Sequence, residues 1–417
     1  MVLRPGYKQT EVGVIPEQWE VKQLGEVGSF SKGKGIRKDE VVANGVPCIR
    51  YGEIYTHYND YVPGFFSFIP PEVANKSKRL RKGDLLFAGS GETAEEIGKC
   101  VAFLDDKEAY AGGDIVILSQ SGQDSMYLGY LMNHQSIATQ KARMGQGDAV
   151  VHIGARHLRQ LQIPRPPLPE QRAIARVLRD MDALLDGLEK LIAKKRDFKQ
   201  AAMQQLLTGQ TRLPGFNRAN AGYKQTEVGV IPEEWEVKKL GEGIELLSGH
   251  HVLAQHCNTE GKGVPYITGP ADFPDGVIQH SKFTQKPATI CRRNDMLVTV
   301  KGSGSGTIVL SDSQYCISRQ LMAIRITDWD TNYIYYCLRQ DASLFEAAAT
   351  GLIPGLSRDD MLNKKIVVPP LHEQTAIATV LSDMDTELAA LEKRLAKTRA
   401  LKQGMMQELL TGRTRIV

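Results

Sequence analysis

The side chains here best equipped for chemistry are basic ones set among glycines and serines. The chemistry they suit is recognition of a polyanion. Lys32, Lys34, Arg37 and Lys38 lie among Gly28, Gly33 and Gly35. Lys76, Lys78, Arg79, Arg81 and Lys82 crowd the approach to an apolar run that opens at Gly83, and Arg292 and Arg293 stand at the matching place before Asn294. Ser90 lies in the Gly/Ser loop after the first run. Lys301 enters the corresponding loop, 302–306, which holds Ser303 and Ser305. His250 and His251 follow Gly249, and Arg319 precedes a further apolar run. Loops of this composition approach phosphates closely, and their longer polar side chains reach base edges. Lys32, Lys34, Arg37, Lys38, Lys76, Lys78, Arg79, Ser90, His250, His251, Lys301, Ser303, Ser305 and Arg319 are therefore the candidate DNA contacts.

Bond-making motifs stop short. Phe87-Ala-Gly-Ser-Gly91 has the glycine turn of an adenosylmethionine-dependent methyltransferase. The expected Asn/Asp-Pro-Pro-aromatic partner is missing, since the double prolines precede Glu72, Leu168 and Leu371. The segment from Gly28 to Lys34 nearly fits a phosphate-binding P-loop, but Gly35 stands where a Ser/Thr hydroxyl should hold magnesium. His250, His251, His256 and Cys257 cluster without the ligand spacing of a zinc finger, and no metal site is expected. No hydrolase triad can be placed, so no catalytic residue is assigned.

These loops sit in a chain written twice. GYKQTEVGVIPEQWEVKQLGE, from Gly6 to Glu26, returns from Gly222 to Glu242 with changes only at Gln18/Glu234 and Gln23/Lys239. PPLPEQRAIARVLRDMD, from Pro166, returns as PPLHEQTAIATVLSDMD from Pro369, and both copies run on to LLTGxTR. The inserts between these blocks differ, and the second is shorter. A fixed frame around two unlike inserts suits a protein that reads two different things at a fixed separation.

The frame predicts long helices. Ile174, Leu178, Met181, Leu185, Leu188 and Ile192 follow alternating steps of four and three. Ile377, Leu381, Met384, Leu388, Leu391 and Leu395 keep the same phase. That is a heptad seam in both copies. Pro166 and Pro167 precede the first helix, Glu170 and Glu373 suit the helix N-termini, and Gly209 and Gly412 suit the C-caps. Two-fold closure of equivalent units would make the helices antiparallel, with Lys195, Lys199, Thr398 and Lys402 toward opposite ends. Within the inserts, runs from Val46, Gly83, Asp114, Val264, Asn294 and Leu321 read as strands. Tyr127–His134 and Tyr333–Arg339 read as short helices.

The 417 residues fit two to three domains. The expected pieces are a recognition domain at 1–165, a helical spacer at 166–213, a Gly/Pro/Asn linker at 214–221, a second recognition domain at 222–368 and a second spacer at 369–417. The net charge of +4 permits a nucleic-acid partner without demanding one. Six cysteines without a CxxC pair read as reduced, buried side chains. No apolar run reaches membrane-spanning length and no leader pattern opens the chain, so a cytoplasmic protein is expected.

The twin segments at Gly13–Glu26 and Gly229–Glu242, the twin PPLxEQxxIAxVL helices at Pro166 and Pro369, and the two unlike inserts resemble a type I restriction–modification specificity subunit. The resemblance runs over essentially the whole chain. It implies an α+β fold: two similar mixed α/β target recognition domains joined by two long helices forming an antiparallel coiled coil, an internal pseudo-two-fold repeat. It implies that each recognition domain reads one half of a split site in double-stranded DNA while the helices set the spacing. It implies two methyltransferase subunits as partners, holding S-adenosylmethionine, and restriction subunits holding ATP and magnesium, with no cofactor on this chain. Competing readings are a stand-alone adenine methyltransferase, which the missing Pro-Pro-aromatic motif disfavours, and a non-catalytic scaffold or a DNA-binding subunit of another methyltransferase assembly. A DNA-mimicking antagonist would be acidic, and this chain is not.

Overall fold

Proline cannot donate to a strand ladder, and its fixed φ suits a first helical turn. After Pro166–Pro167 the chain accordingly leaves a strand and runs as one helix over Leu168–Leu207; after Pro369–Pro370 it does so again over Leu371–Leu409. Both helices run out into glycines in the left-handed region, Gly209 at φ 72° and Gly412 at φ 70°, where a Cβ is penalised. A Cβ on Gly209 would also strike Pro232 Cδ at 2.5 Å, and one on Gly412 would strike Pro16 Cδ at 2.4 Å. Each helix tail thus turns tightly against the proline of a repeated hairpin.

The structure, a computed structural model, describes residues 4–147, 150–217, 222–301, 306–340 and 355–416. The chain forms two compact units, one of 1–189 with 394–417 and one of 190–393. The divisions fall inside the long helices, whereas the sequence reading placed its boundaries at the helix ends. The reason is packing. The first unit's core takes in Ile174 and Leu178 from the head of the first long helix and Leu409 and Leu410 from the tail of the second. The second unit's core takes in Ile377 and Leu381 together with Leu206 and Leu207. Part of the linker, 218–221, lies outside the described residues.

The first unit opens on a hairpin, Tyr7–Thr10 against Gly13–Pro16. Glu20–Gln23 then pairs with Gln162–Arg165, so the insert begins and ends side by side. Between them lies an antiparallel sheet in the order Cys100–Ala102, Leu85–Ala88, Ile115–Gln120, Gly28–Lys32. A second sheet runs Ser67–Ile69, Val46–Ile49, Tyr110–Ala111, Lys78–Arg79, with its central pair parallel. The second unit repeats this plan. Its antiparallel sheet runs Ile308–Leu310, Met296–Thr299, Leu321–Ile326, Ile244–Ser248. Its mixed sheet holds Val264–Ile267 parallel to Tyr315–Ile317, flanked by Ile290–Cys291. The short helices are Ser125–Asn133 and Thr331–Gln340. The inserts thus share one fold although their sequences differ.

Within each unit the two long helices run antiparallel. In the first, Asp182 meets Lys402 and Glu189 meets Arg399; in the second, Lys195 meets Glu387 and Lys199 meets Asp385. Partner numbers fall as helix numbers rise. The two exposed pairs, Glu189–Arg399 and Lys195–Glu387, are worth little in stability, but all four report direction. Along the seam, Ile174, Leu178, Leu188, Ile192, Ile377, Leu381 and Leu388 are buried, and Met181, Leu185, Met384, Leu391 and Leu395 are half-buried. Among the described residues no helix is long and apolar enough to cross a membrane.

Candidate nucleic-acid interface

In the first unit the candidate face begins where the strand Gly28–Lys32 ends, with Lys32 opposite Val116. The next residues lie along the edge of the mixed sheet. Gly33 N donates to Ile115 O at 2.8 Å, Lys34 N to Ala111 O at 3.2 Å, and Gly113 N to Gly35 O at 3.0 Å. Gly33 has no room for a side chain, because its Cβ would lie 1.9 Å from Gly112 O. Ala111 also pairs with Lys78, and Tyr110 with Arg79. The fold therefore brings the Lys32–Lys38 and Lys76–Arg79 clusters, distant in sequence, onto one face.

Lys32, Lys34, Arg37, Lys38, Lys76, Lys78 and Arg79 are all exposed. Lys32 lies 3.4 Å from Asp114, and Arg79 lies 3.7 Å from Glu108. Among the described residues Lys34, Lys38, Lys76 and Lys78 have no ion-pair partner, which leaves their charge for an outside anion. The Tyr110 phenol donates to Glu108 at 2.7 Å, and that bond to a carboxylate raises its pKa above the usual tyrosine value.

Ser90 corrects the sequence reading. It is 6% exposed, its strand pairs with Val151–His152, and its Oγ lies 2.9 Å from His152 Nδ1. The Gly/Ser composition suggested an open loop; strand pairing closes it. Ser90 is therefore buried in a strand pair rather than held on an open loop.

The second unit builds the same step from other side chains. Gly249 N donates to Leu321 O at 3.0 Å and His250 N to Ile317 O at 3.1 Å, matching Gly33 and Lys34. His250 thus stands where the first unit has Lys34. His250 and His251 are exposed, and His250 Nδ1 lies 2.8 Å from Thr289 Oγ1. Arg319 and Gln320 are exposed on the adjoining turn. Val300 N donates to Gln320 O at 2.8 Å, which sets the exposed Lys301 beside that turn. Ser303 and Ser305 lie outside the described residues. Gln320 was not singled out from the sequence, although its amide can serve a base edge; the one signal was its place after Arg319. Among the described residues no three His, Cys, Asp or Glu side chains converge as metal ligands.

The model of the type I restriction modification DNA specificity domain matches residues 16–195 and again 232–399. The chain belongs to that family. Members of the type I specificity family similar to it include two from Methanocaldococcus jannaschii. One, provisionally named the type I restriction enzyme MjaX specificity subunit, is 29% identical over 98% of this chain and 97% of its own. The type I restriction enzyme MjaVIII specificity subunit is 25% identical over 96% and 94%. The fold also matches the solved S subunit of a type I restriction–modification system from M. genitalium, with TM-score 0.60 at 16% identity over 98% of each chain. The doubled match repeats the doubled frame, and each matched span lies mostly within one of the two units.

Proposed function

We propose that this chain is the DNA-sequence specificity subunit of a type I restriction–modification complex, each unit reading one half of a bipartite duplex site. The observation that carries this is one loop position in a duplicated frame, where one unit presents Lys34 and the other His250. Two unlike half-sites need such a frame with unlike side chains. Basic residues on phosphates supply affinity and its salt dependence, and side chains on base edges choose the sequence. The long helices scaffold the methyltransferase subunits and set the spacing of the half-sites.

Catalysis belongs to the partners on this reading. Two methyltransferase subunits hold S-adenosylmethionine, and restriction subunits hold ATP and magnesium. A structure similar to this chain, at TM-score 0.57 and 20% identity, comes from work on complex assembly of a type I R-M system, which supports partner subunits in general. A target adenine leaves the base stack to be methylated. The place of action is the cytoplasm.

Direct long-read mapping of methyladenine in the host genome, with and without the gene, tests the reading. One bipartite motif with a fixed gap should vanish on deletion. Exchanging 27–160 for the insert of another family member should change one half of that motif only. A change in both halves, or no motif dependent on the expressed gene, would overturn independent reading by the two units.

A further inference from the structure

We infer that a Tyr–Asp–Lys triad in each unit keys the recognition domain to the helix pair and so confines the reaction to one half-site spacing, an inference that rests on the specificity reading above. In the first unit Tyr130, on the short helix Ser125–Asn133, donates its hydroxyl to Asp182 Oδ2 at 2.5 Å. Lys402 Nζ lies 2.6 Å from Asp182 Oδ1 and 5.3 Å from the centre of the Tyr130 ring. In the second unit Tyr336, on Thr331–Gln340, donates to Asp385 Oδ2 at 2.7 Å. Lys199 Nζ pairs with Asp385 Oδ1 and again lies 5.3 Å from the tyrosine ring centre.

The three members come from three elements: a domain helix, the head of one long helix and the tail of the other. The same geometry, built twice from residues far apart in the chain, marks a device of the frame. The lysines are largely withdrawn from water, with side chains 14% and 12% exposed. The first unit adds Asp60, whose Oδ2 lies 3.2 Å from Lys402 Nζ and whose Oδ1 accepts from Asn133 Nδ2 at 3.0 Å. Asp60 is 7% exposed, so a loop of the recognition insert joins the same node.

In the first unit the carboxylate is withdrawn as well, with the Asp182 side chain 15% exposed, whereas Asp385 keeps 41%. Such a polar node adds little net stability over apolar residues of the same shape, but displacing one member of the withdrawn node strands the others. Its useful property is to forbid alternatives. The seam by itself permits them. A repeat of leucine, isoleucine and methionine every seven residues tolerates a slip of one heptad, roughly 10 Å along the helix. That is about three base pairs of duplex at 3.4 Å each. A smaller rocking of a domain on the helices would admit a gap one base pair longer or shorter. Each triad opposes both movements, because the aspartate must meet a donor from the domain and a cation from the other helix together. Tyr130, Asp182, Lys402, Tyr336, Asp385 and Lys199 are positioning residues: they act on DNA only through the elements they join.

The test uses the full chain with its methyltransferase partners and synthetic duplexes carrying the mapped half-sites at the native gap and at gaps one base pair longer and shorter. The readout is the ratio of off-gap to native-gap methylation, with the thermal midpoint measured alongside. The wild type should methylate the native gap almost alone. Lys199→Met with Lys402→Met should raise the off-gap ratio by roughly tenfold, the size of a moderate coupling energy. Lys199→Arg with Lys402→Arg should recover most of the selectivity. Tyr130→Phe with Tyr336→Phe keeps both rings and removes only the hydroxyls. This pair should raise the ratio by a smaller factor, and it decides the matter if the methionine pair fails to fold. A folded Phe pair with the wild-type ratio, or a folded Met pair with the wild-type ratio, overturns the inference. A wild type that methylates no bipartite site at any gap overturns the specificity reading instead, which is a separate result.

Discussion

Arg212 closes both prongs of its guanidinium on Glu373, Nε donating to Oε1 at 2.9 Å and Nη2 to Oε2 at 2.6 Å. Trp235 Nε1 donates to the same Oε2 at 3.0 Å. The first unit repeats the arrangement with Arg415 on Glu170, at 2.9 and 2.8 Å, and Trp19 Nε1 at 3.0 Å. Arg212 trails the first long helix, yet the carboxylate it holds belongs to the first turn of the second. Each tail closes the unit opened by the other copy of the frame.

Glu373 is fully buried, so its charge depends on these partners. Arg212→Met should destabilise the second unit by about 3–5 kcal/mol, because it leaves a desolvated carboxylate unpaired. Adding Glu373→Leu should recover most of the loss, since removing both charges removes the unpaired one. Urea denaturation followed by tryptophan fluorescence checks this. A single-variant loss below about 1 kcal/mol, the value of an exposed pair, would show that the carboxylate finds water or a proton instead.

The long helices were legible because a seven-residue repeat is written locally and twice. The strands at Val46, Asp114, Val264 and Leu321 were legible for the same reason, as apolar runs between turn residues. Ser90 was misread because its burial depends on pairing with Val151–His152, which no local pattern announces. The compact units cross the expected boundaries because Arg212 and Arg415 travel to the other copy's glutamate. Glu170 and Glu373 were read as helix N-terminal charges, which they are, but their chief partners are distant. A signal did exist. Trp19, Glu170 and Arg212 each recur at the same place in the second copy, and three repeated residues able to bond one another invite the question of which copy joins which.

That exchange has a consequence for half the chain. A fragment of residues 1–217 carries Trp19, Glu170 and Arg212, but in the intact protein its Glu170 is held by Arg415. In a second copy of the same fragment, Arg212 can take that place. The fragment should therefore sediment as a dimer, and with its methyltransferase partners it should modify a palindromic motif built from the first half-site twice. A stable monomer would mean that Arg212 folds back on its own Glu170.

The basic face separates positioning from reading. Lys34→Gln with Lys78→Gln removes two unpaired cations, so affinity should fall by a similar factor for every duplex. The slope of log affinity against log salt should shallow by roughly 0.9 per lysine. Ser90→Ala should leave both quantities unchanged, because Ser90 faces His152. Fluorescence anisotropy of the assembled complex over a salt series checks all three variants. An effect of the lysine pair on one sequence alone would place these side chains on base edges rather than on phosphates.

Lys141 gives the fold a pH signature. It is 2% exposed on the helix Gln135–Met144, and its Nζ donates to Gly98 O at 2.6 Å. Burial pushes its pKa down from the usual 10.5 to about 8, partly offset by the Cys100 thiol. Between those values the unfolded chain holds a proton that the folded chain has released, so this residue's contribution to stability rises with pH across the window. Below pH 8 both states carry the proton and the folded state bears the full cost of the buried charge. Lys141→Met should thus stabilise the first unit at pH 7 by up to roughly 3 kcal/mol, less about 1 kcal/mol for the lost bond to Gly98. The advantage should shrink as pH approaches 10.5. Other groups change protonation on unfolding in this window as well: burial holds the Cys100 thiol protonated in the fold, well above the value at which it ionises in the unfolded chain, so the informative quantity is the difference between variant and wild type in urea midpoint at pH 7 and at pH 9.5. A difference that does not narrow with pH would mean that water reaches the ammonium and the charge is not buried in solution.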